Sequence, residues 1–428
     1  MTLPRSAYVH IPFCRRRCFY CDFPIAVVGD KPVNKAGDRI NGSNSGTIAH
    51  YVEVLCQEIQ QFPSLGGSLE TVFFGGGTPS LLSPEQLQRI LNLLDHQFGM
   101  TSNAEISMEV DPATFDAPQI QAYRAAGVNR VSLGVQAFQR ELLQIAGRSH
   151  TVADIHDAIQ LVRDAGFTNI SLDLISGLPH QTLDQWEASL NMAIALQPTH
   201  ISCYDLTIET GTPFSKQYRS GLTPLPSDET TADMYRAAQR LLTRNGFEHY
   251  EISNYAQPGY QCQHNRVYWQ NQPFYGFGMG ATSYLAGIRF ARPRKTWEYY
   301  EWVNRRGWND WALKKEKHDP NSSPEEASSQ LPVPSALPST FNSDLLLDTL
   351  MVGLRLAEGL DIAALVNQFG EPAIAQVCKC LQPFVQKGWI TFPSQDHNPV
   401  SGRLRLTDPE GFLFSNVILV ALFEMFEN

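Results

Sequence analysis

From residue 7 to residue 206 the chain alternates between short apolar runs and segments with helical spacing. Ala7–Ile11, Thr71–Phe74, Glu105–Val110, Arg130–Val135, Asn169–Ile175 and His200–Leu206 are bounded by turn residues. Each has the near-continuous apolar character of a strand buried on both faces. Between them, Thr47–Phe62, Pro84–Phe98, Ala117–Ala126, Thr151–Ala165 and Thr182–Leu196 place apolar residues three and four apart, as the inner face of a helix does. Gly127, Gly166 and Pro198 stand where those helices must stop. Parallel neighbours need a crossover between them, so this order predicts an α/β fold built on a mostly parallel sheet.

The residues with chemistry fall at the ends of the expected strands, where ligands of such sheets sit. Behind the first strand come Cys14, Cys18 and Cys21, spaced C-x3-C-x2-C. Three thiolates on one loop can hold three irons of a [4Fe–4S] cluster and leave the fourth iron open to a ligand. A structural zinc site or three buried thiols are the alternatives; zinc usually takes four ligands in paired short-spaced motifs, and no second pair with such spacing exists. Gly75-Gly-Gly-Thr-Pro79 follows the second strand and lets backbone groups approach a ligand. Glu109, Gln136, Arg148 and Asp173 lie at later strand ends or just beyond them. Each by itself is explained by closing a strand or pairing at the surface; four together point to a polar ligand. Asp173 stands out because it interrupts an apolar run, where an unpaired carboxylate is costly.

The cysteine spacing behind Tyr8-Val-His-Ile resembles the radical S-adenosylmethionine (SAM) superfamily. That resemblance implies an open six-stranded parallel (β/α)6 partial TIM barrel, with the open iron chelating the methionine part of SAM. Tyr8-Val-His-Ile-Pro-Phe-Cys14, Phe73-Phe-Gly-Gly-Gly-Thr-Pro-Ser80, Glu109-Val-Asp-Pro112, Gly134-Val-Gln136 and Asp173-Leu-Ile-Ser-Gly-Leu-Pro179 together resemble the oxygen-independent coproporphyrinogen III oxidase family. The similarity runs from residue 6 to about residue 310. It implies SAM contacts from Tyr8, Tyr20, Gly76, Gly77, Thr78, Glu109, Gln136, Arg148 and Asp173. Carboxylates suit the amine or ribose hydroxyls of SAM, and an arginine suits its carboxylate by a two-point bond.

That family has an oxidase branch, which decarboxylates a porphyrinogen, and a heme-chaperone branch. Three features resemble the second. Phe23 stands where the oxidase has a fourth cysteine, only thirteen residues precede Cys14, and His264-Asn-Arg-Val-Tyr-Trp269 matches the chaperone branch's H-N-x-x-Y-W signature. Histidine is a common axial ligand of heme iron, so His264 is the expected ligand, with Tyr268 and Trp269 stacking on or flanking the macrocycle. The Gln270–Gly280 segment reads as an aromatic, glycine-rich loop around a flat pocket, and Cys262 is a competing ligand. His10 and His249 read as core or strand-edge residues. The cofactors implied are therefore a [4Fe–4S] cluster, SAM and heme. The partners are a heme-accepting protein that the sequence does not identify and a flavodoxin- or ferredoxin-type electron donor. No catalytic residue is assigned, and coproporphyrinogen III oxidase activity is not expected. The oxidase, a radical SAM methyltransferase and a binding protein that never cleaves SAM are the competing functions.

A net charge of −10 over 428 residues argues against nucleic acid as a partner. Eight irregularly spaced cysteines and no secretory signal point to a reducing cytoplasm, with peripheral membrane association left open. The most apolar stretch, Phe412–Phe426, is shorter than the ~20 residues of a spanning helix and reads as a buried terminal helix. The expected domains are the barrel (1–225), an extension carrying the HNRVYW motif (226–310), a linker (311–343) and a C-terminal α+β, winged-helix-like domain (344–428). The last has three or four helices and strands at Trp389–Phe392 and Arg403–Leu406. Gly29–Gly46 and Lys314–Ser343 have the composition of surface insertions. The C-terminal segment is not notably basic, so a packing or substrate-covering role fits it better than DNA binding.

Overall fold

All six expected strands form in the computed structural model, which describes residues 2–29, 48–309, 343–391 and 402–427. They are β1 (Ser6–Ile11), β2 (Leu69–Gly76), β3 (Met100–Val110), β4 (Arg130–Gln136), β5 (Asn169–Ser176) and β6 (His200–Asp205). The expected insertions at 30–46 and 314–342, and Phe392, lie outside the described residues. The helices between the strands stand at Ile48–Gln61, Pro84–Phe98, Ala117–Ala126, Val152–Asp164 and Leu183–Ala195. Their starts are written locally: Ser83, Thr151 and Thr182 each cap the helix behind them through a reciprocal capping box with Gln86, Asp154 and Gln185. Gly127 ends the third in the left-handed conformation that a side chain disfavours.

The chain forms two compact units that do not follow chain order. The first comprises Met1–Gly134, Ser149–Thr168 and Gln272–Leu337. Within it β1 pairs in parallel with β2, β2 with β3, and β3 with β4. The pairing of Ile11 with Gly76 brings the cysteine loop, which leaves β1, alongside the glycine-rich turn that leaves β2. The second comprises Val135–Arg148, Asn169–Asn271 and Pro338–Asn428. There β5 and β6 are parallel, and the sheet is extended by two antiparallel strands, β7 (Glu248–Glu251) and β8 (Asn254–Ala256), in the order β5-β6-β8-β7.

Part of the segment expected as a loop is sheet. β9 (Tyr275–Phe277) pairs in parallel with the outer edge of β1, and Tyr275 and Phe277 are fully buried against Phe62 and Phe98. These rings serve the core of the first unit. Glycine is required at 276, where a Cβ would strike the Thr282 carbonyl of the next strand.

In the second unit the C-terminal segment has helices Ser343–Gly353, Ile362–Phe369, Glu371–Gln386, Glu410–Leu413 and Ser415–Glu427 around a three-stranded antiparallel sheet with Arg403–Leu406 in the middle. Its core gathers Leu346, Leu350, Ile374, Val377, Leu381, Leu404, Ile418 and Leu422. The expected continuous terminal helix is broken near Phe414, and it is not buried all round. Ile418 and Leu422, four apart, face inward, while Val417 and Val420 are half exposed. The segment is stitched to β7 by a bridge between Glu251 and Leu356 and by bonds from Ile252 N–H to Arg355 O and Ala357 N–H to Tyr250 O. Arg236 and Arg266 add two-point pairs with Glu410 and Glu358. Among the described residues no helix is long and apolar enough to cross a membrane.

The first unit has a polar knot in its interior. Glu58 and Arg292 are both fully buried and pair at 2.8 Å. Tyr299 O–H and Gly278 N–H also donate to Glu58, and Arg292 donates to Ser283 Oγ at 2.6 Å. Two helices, Ile48–Gln61 and Thr296–Asn304, the end of β9 and the hairpin after it are thereby tied through a single carboxylate. Arg292→Met strips the counter-charge from a buried carboxylate and should cost about 3–5 kcal/mol, read as a lowered urea midpoint. Adding Glu58→Gln should recover part of the loss.

His10 makes a second knot. Its ring is buried, with Nε2 3.1 Å from the Pro24 carbonyl and Nδ1 3.0 Å from the Tyr8 hydroxyl. A carbonyl only accepts, so Nε2 carries the proton and Nδ1 accepts from Tyr8. Burial pushes the imidazole down to about 4, against the bond to Pro24, with Arg294 adding to the depression. The unfolded chain therefore takes this proton first as pH falls. The contribution of the neutral ring is complete above pH 6.5 and is lost on the way down to pH 4. It should amount to about 2–3 kcal/mol across that window. Urea midpoints at pH 7 and pH 4.5 should differ by more in the parent protein than in His10→Gln; equal differences would remove His10 as the cause.

Candidate functional site

In the first unit the cysteine loop is clasped from several sides. Arg17 reaches along it and donates to the carbonyls of Cys21 at 3.1 Å and of Phe23 and Ile25 at 3.4 Å each. Arg15 anchors the loop to the carbonyl of Ala113. The Pro24 carbonyl is held by His10. Cys14, Cys18 and Cys21 are all free thiols of intermediate burial. Cys14 feels the charge of the other two, and burial pushes its thiol up to about 12 in spite of a 3.6 Å hydrogen bond from Thr78. Burial likewise pushes Cys21 up. Such thiols give up their protons only to a compensating cation, which iron supplies. Three free thiols on one loop match a four-iron cube, which takes one thiolate at each of three corners. The donor set therefore fits the cluster.

The glycine-rich turn lies against this loop because it has no side chains. A Cβ on Gly77 would come within 2.7 Å of the Phe13 carbonyl, and one on Gly76, where φ is +112°, would collide with the His10 ring. Gly76 N–H donates to Glu109 Oε2 at 3.0 Å, and Gly77 N–H to the Ile11 carbonyl at 2.8 Å. Thr78 is buried with its hydroxyl on Cys14. Glu109, Gly76, Gly77 and Thr78 thus surround the same turn as the cysteine loop, with Tyr8 stacked on Phe73 at its base. Tyr20 is partly buried on the cysteine loop, and Phe23 is more than half exposed there.

The second unit carries the remaining residues. Gln136 ends β4, is buried, and has the unusual φ of +69°, a conformation that side chains avoid without a local reason. Arg148 follows the short helix Arg140–Ile145. Asp173 lies within β5 and begins a hydrogen-bonded chain. Ser171 Oγ donates to Asp173 Oδ1 at 3.3 Å; His200 lies 2.8 Å from Ser171; Tyr250 O–H lies 2.9 Å from His200; and Cys262 N–H donates to the Tyr250 oxygen at 3.3 Å. A carboxylate accepts and an amide donates, so every bond in the chain points from Cys262 to Asp173.

Cys262 stands at the N-cap position of the helix Gln263–Trp269, which is the HNRVYW motif. His264 and Cys262 are fully buried, and His264 Nε2 is bonded to the Tyr268 hydroxyl at 2.8 Å. In this conformation the His264 Nε2 is engaged and both side chains are closed to solvent. Among the described residues the indole Nε1 of Trp269 is buried without a hydrogen-bond partner, an omission that costs about 1–3 kcal/mol. The guanidinium of Arg355 lies over the same ring, 5.0 Å from its centre. The sequence reading passed over Arg17, Arg355 and the Ser171–His200–Tyr250 chain. Arg17 is a variable position of the cysteine motif that acts on carbonyls of its own loop, while Arg355 and the chain act through contacts between residues distant in sequence.

The Radical SAM superfamily profile matches residues 8–193, and the HemN C-terminal domain profile matches residues 342–413. A heme chaperone HemW of Synechocystis sp. is 44% identical over 436 residues, covering 99% of this chain and 98% of that protein. A heme chaperone HemW of Escherichia coli is 39% identical over 279 residues, covering 65% and 69%. Mouse radical S-adenosyl methionine domain-containing protein 1, mitochondrial, is 35% identical over 278 residues, covering 64% and 60%. The solved structure of coproporphyrinogen III oxidase (HemN) from Escherichia coli superposes with a TM-score of 0.75 at 22% identity, over 98% of this chain and 90% of that one, which establishes the fold. The parallel α/β sheet, the cysteine loop at the end of β1 and the C-terminal segment agree with these matches, and the chain belongs to the HemW family of the radical SAM superfamily.

Proposed function

We propose that this protein is a heme chaperone. It holds a [4Fe–4S] cluster through Cys14, Cys18 and Cys21, binds SAM, carries heme and passes it to an acceptor protein. The full-length kinship with a protein named heme chaperone carries this reading. Phe23 supports it over the oxidase, because a phenyl ring more than half exposed stands where a fourth thiol would be.

When bound, the cluster supplies an open iron and an electron for the SAM sulfonium. The chain's own part is positioning. Arg17, Arg15 and His10 hold the cysteine loop, and Thr78 holds the Cys14 sulfur. Gly76 and Gly77 bring backbone close to the turn, and Glu109 presents a carboxylate for the SAM amine. Tyr8 and Tyr20 are assigned to the same ligand. In the second unit Gln136, Arg148 and Asp173 carry the groups assigned to the SAM carboxylate and ribose. Heme is assigned to the Gln263–Trp269 helix. His264 would supply an imidazole nitrogen to the iron, the Nε2 now bonded to the Tyr268 hydroxyl being the candidate, and Tyr268 and Trp269 would flank the macrocycle. A flavodoxin- or ferredoxin-type carrier would deliver the electron. The eight free thiols suit a reducing cytoplasm.

Two measurements test the reading. After anaerobic reconstitution the parent chain should contain about four irons and four sulfides, and the triple variant Cys14→Ala/Cys18→Ala/Cys21→Ala should contain neither; a triple variant that keeps its iron and sulfide refutes the ligand set. On one reduced preparation supplied with SAM, heme titration should give a saturable Soret shift while coproporphyrinogen III stays unconverted, followed by the fluorescence of the oxidised porphyrins. Sustained multiple turnover to protoporphyrinogen would return the chain to the oxidase branch.

A further inference from the structure

Two arginines border the Gln263–Trp269 helix, and they differ in what they bind. Arg266 is fully engaged: it makes a two-point pair with Glu358 at 2.8 and 3.0 Å and donates to Gln261 at 2.7 Å. Arg355 makes no side-chain hydrogen bond or ion pair among the described residues; its guanidinium rests on the Trp269 ring. Glu251 feels the charge of Arg355, but its oxygens are occupied by the Asn254 amide and the Ser253 N–H. Trp269 itself holds a buried indole N–H with no acceptor. A neutral donor with no acceptor among the described residues and a guanidinium with no directly bonded partner there, Glu251 being felt only through space, therefore stand on one ring, at the end of the motif that the proposed function assigns to heme.

We propose that Trp269 and Arg355 form a carboxylate subsite that binds a propionate of heme, with the indole N–H donating one hydrogen bond and the guanidinium supplying charge. A carboxylate is the group that satisfies both at once, since it accepts from several donors and carries the opposite charge. Heme brings two such groups on one edge of an otherwise apolar disc. Trp269 follows His264 by somewhat over one helical turn, so iron and propionate are held by two ends of one short helix. Arg355 also belongs to the loop whose backbone is paired with β7, with its carbonyl accepting from Ile252 N–H at 3.1 Å. The subsite thereby gives the C-terminal segment a direct part in holding the cargo. This inference rests on the heme reading and adds to it the group by which the porphyrin edge is recognised.

The test compares hemin with hemin dimethyl ester, whose propionates are masked, as titrants of the full-length protein. The parent chain should bind hemin about tenfold more tightly than the ester, the worth of one charge-assisted hydrogen bond. Arg355→Ala should lose about that factor for hemin and bind both titrants alike, with the Soret position of the complex unchanged. Trp269→Phe, which keeps a ring and removes the N–H, should also narrow the preference. His264→Ala should move the Soret band and leave the preference for hemin over the ester in place. Equal binding of hemin and ester by the parent chain overturns the subsite and leaves the heme site standing, and this comparison needs no variant that must fold. A preference that survives intact in Arg355→Ala overturns it as well. If His264→Ala changes nothing while Arg355→Ala abolishes the preference, the subsite stands and the axial assignment falls. If the parent chain binds neither titrant, both readings fall together.

Discussion

The site in the first unit depends on the neutral imidazole of His10. Its ring joins Tyr8 on β1 to Pro24 beyond the cysteine loop, and it fills the space that a side chain at position 76 would need. Its carbonyl accepts from Tyr51, whose oxygen in turn accepts from Met279 N–H, and Gly278 is close enough to that carbonyl to exclude a Cβ. The first helix, the end of β9, the glycine-rich turn and the cysteine loop all meet this one residue. Protonation would turn the acceptor on Tyr8 into a donor and place a charge where burial opposes it. The polar contacts around the ring can therefore be satisfied in one protonation state and one tautomer, and these hold the loop and the turn in register.

Much of this architecture was legible in the sequence. Alternating periodicities located six strands and five helices because each parallel strand is an apolar run and each covering helix has one apolar face. Stop residues marked helix ends, while the capping boxes at Ser83, Thr151 and Thr182 are a local start signal that the periodicity did not draw on. The cysteine loop and the glycine-rich turn were also legible, since each is a short motif whose chemistry is carried by neighbours in sequence. Their adjacency followed from parallel pairing, which places the ends of β1 and β2 side by side.

What escaped was long-range or two-sided. Tyr275 and Phe277 sit in a segment rich in glycine and aromatics, which composition alone presents as a loop; their strand exists because the edge of β1 accepts a partner from 268 residues further along the chain. The terminal apolar stretch looked uniformly buried because hydropathy does not separate the two faces of a helix that has Val417 and Val420 on the outer side. Arg17, Arg355 and Glu58 resemble other charged residues in the sequence. Their roles come from what surrounds them: three carbonyls, an indole ring and a buried guanidinium.

The hydrogen-bonded chain in the second unit shows how such surroundings connect motifs that sequence reading treats one at a time. The N–H at the head of the HNRVYW helix donates to Tyr250, and the bonds continue through His200 and Ser171 to Asp173. Direction is set at both ends, because an amide can only donate and a carboxylate can only accept. His200 is thereby confined to one tautomer, with Nδ1 protonated and Nε2 accepting. These bonds are those of a neutral imidazole, with the Tyr250 hydroxyl donating to Nε2 and accepting from the Cys262 N–H. Displacing the first turn of the helix would take the Cys262 donor away from Tyr250. Asp173 and the helix that begins at Cys262 are therefore parts of one polarised chain, although they stand 89 positions apart in sequence and each belongs to a different motif.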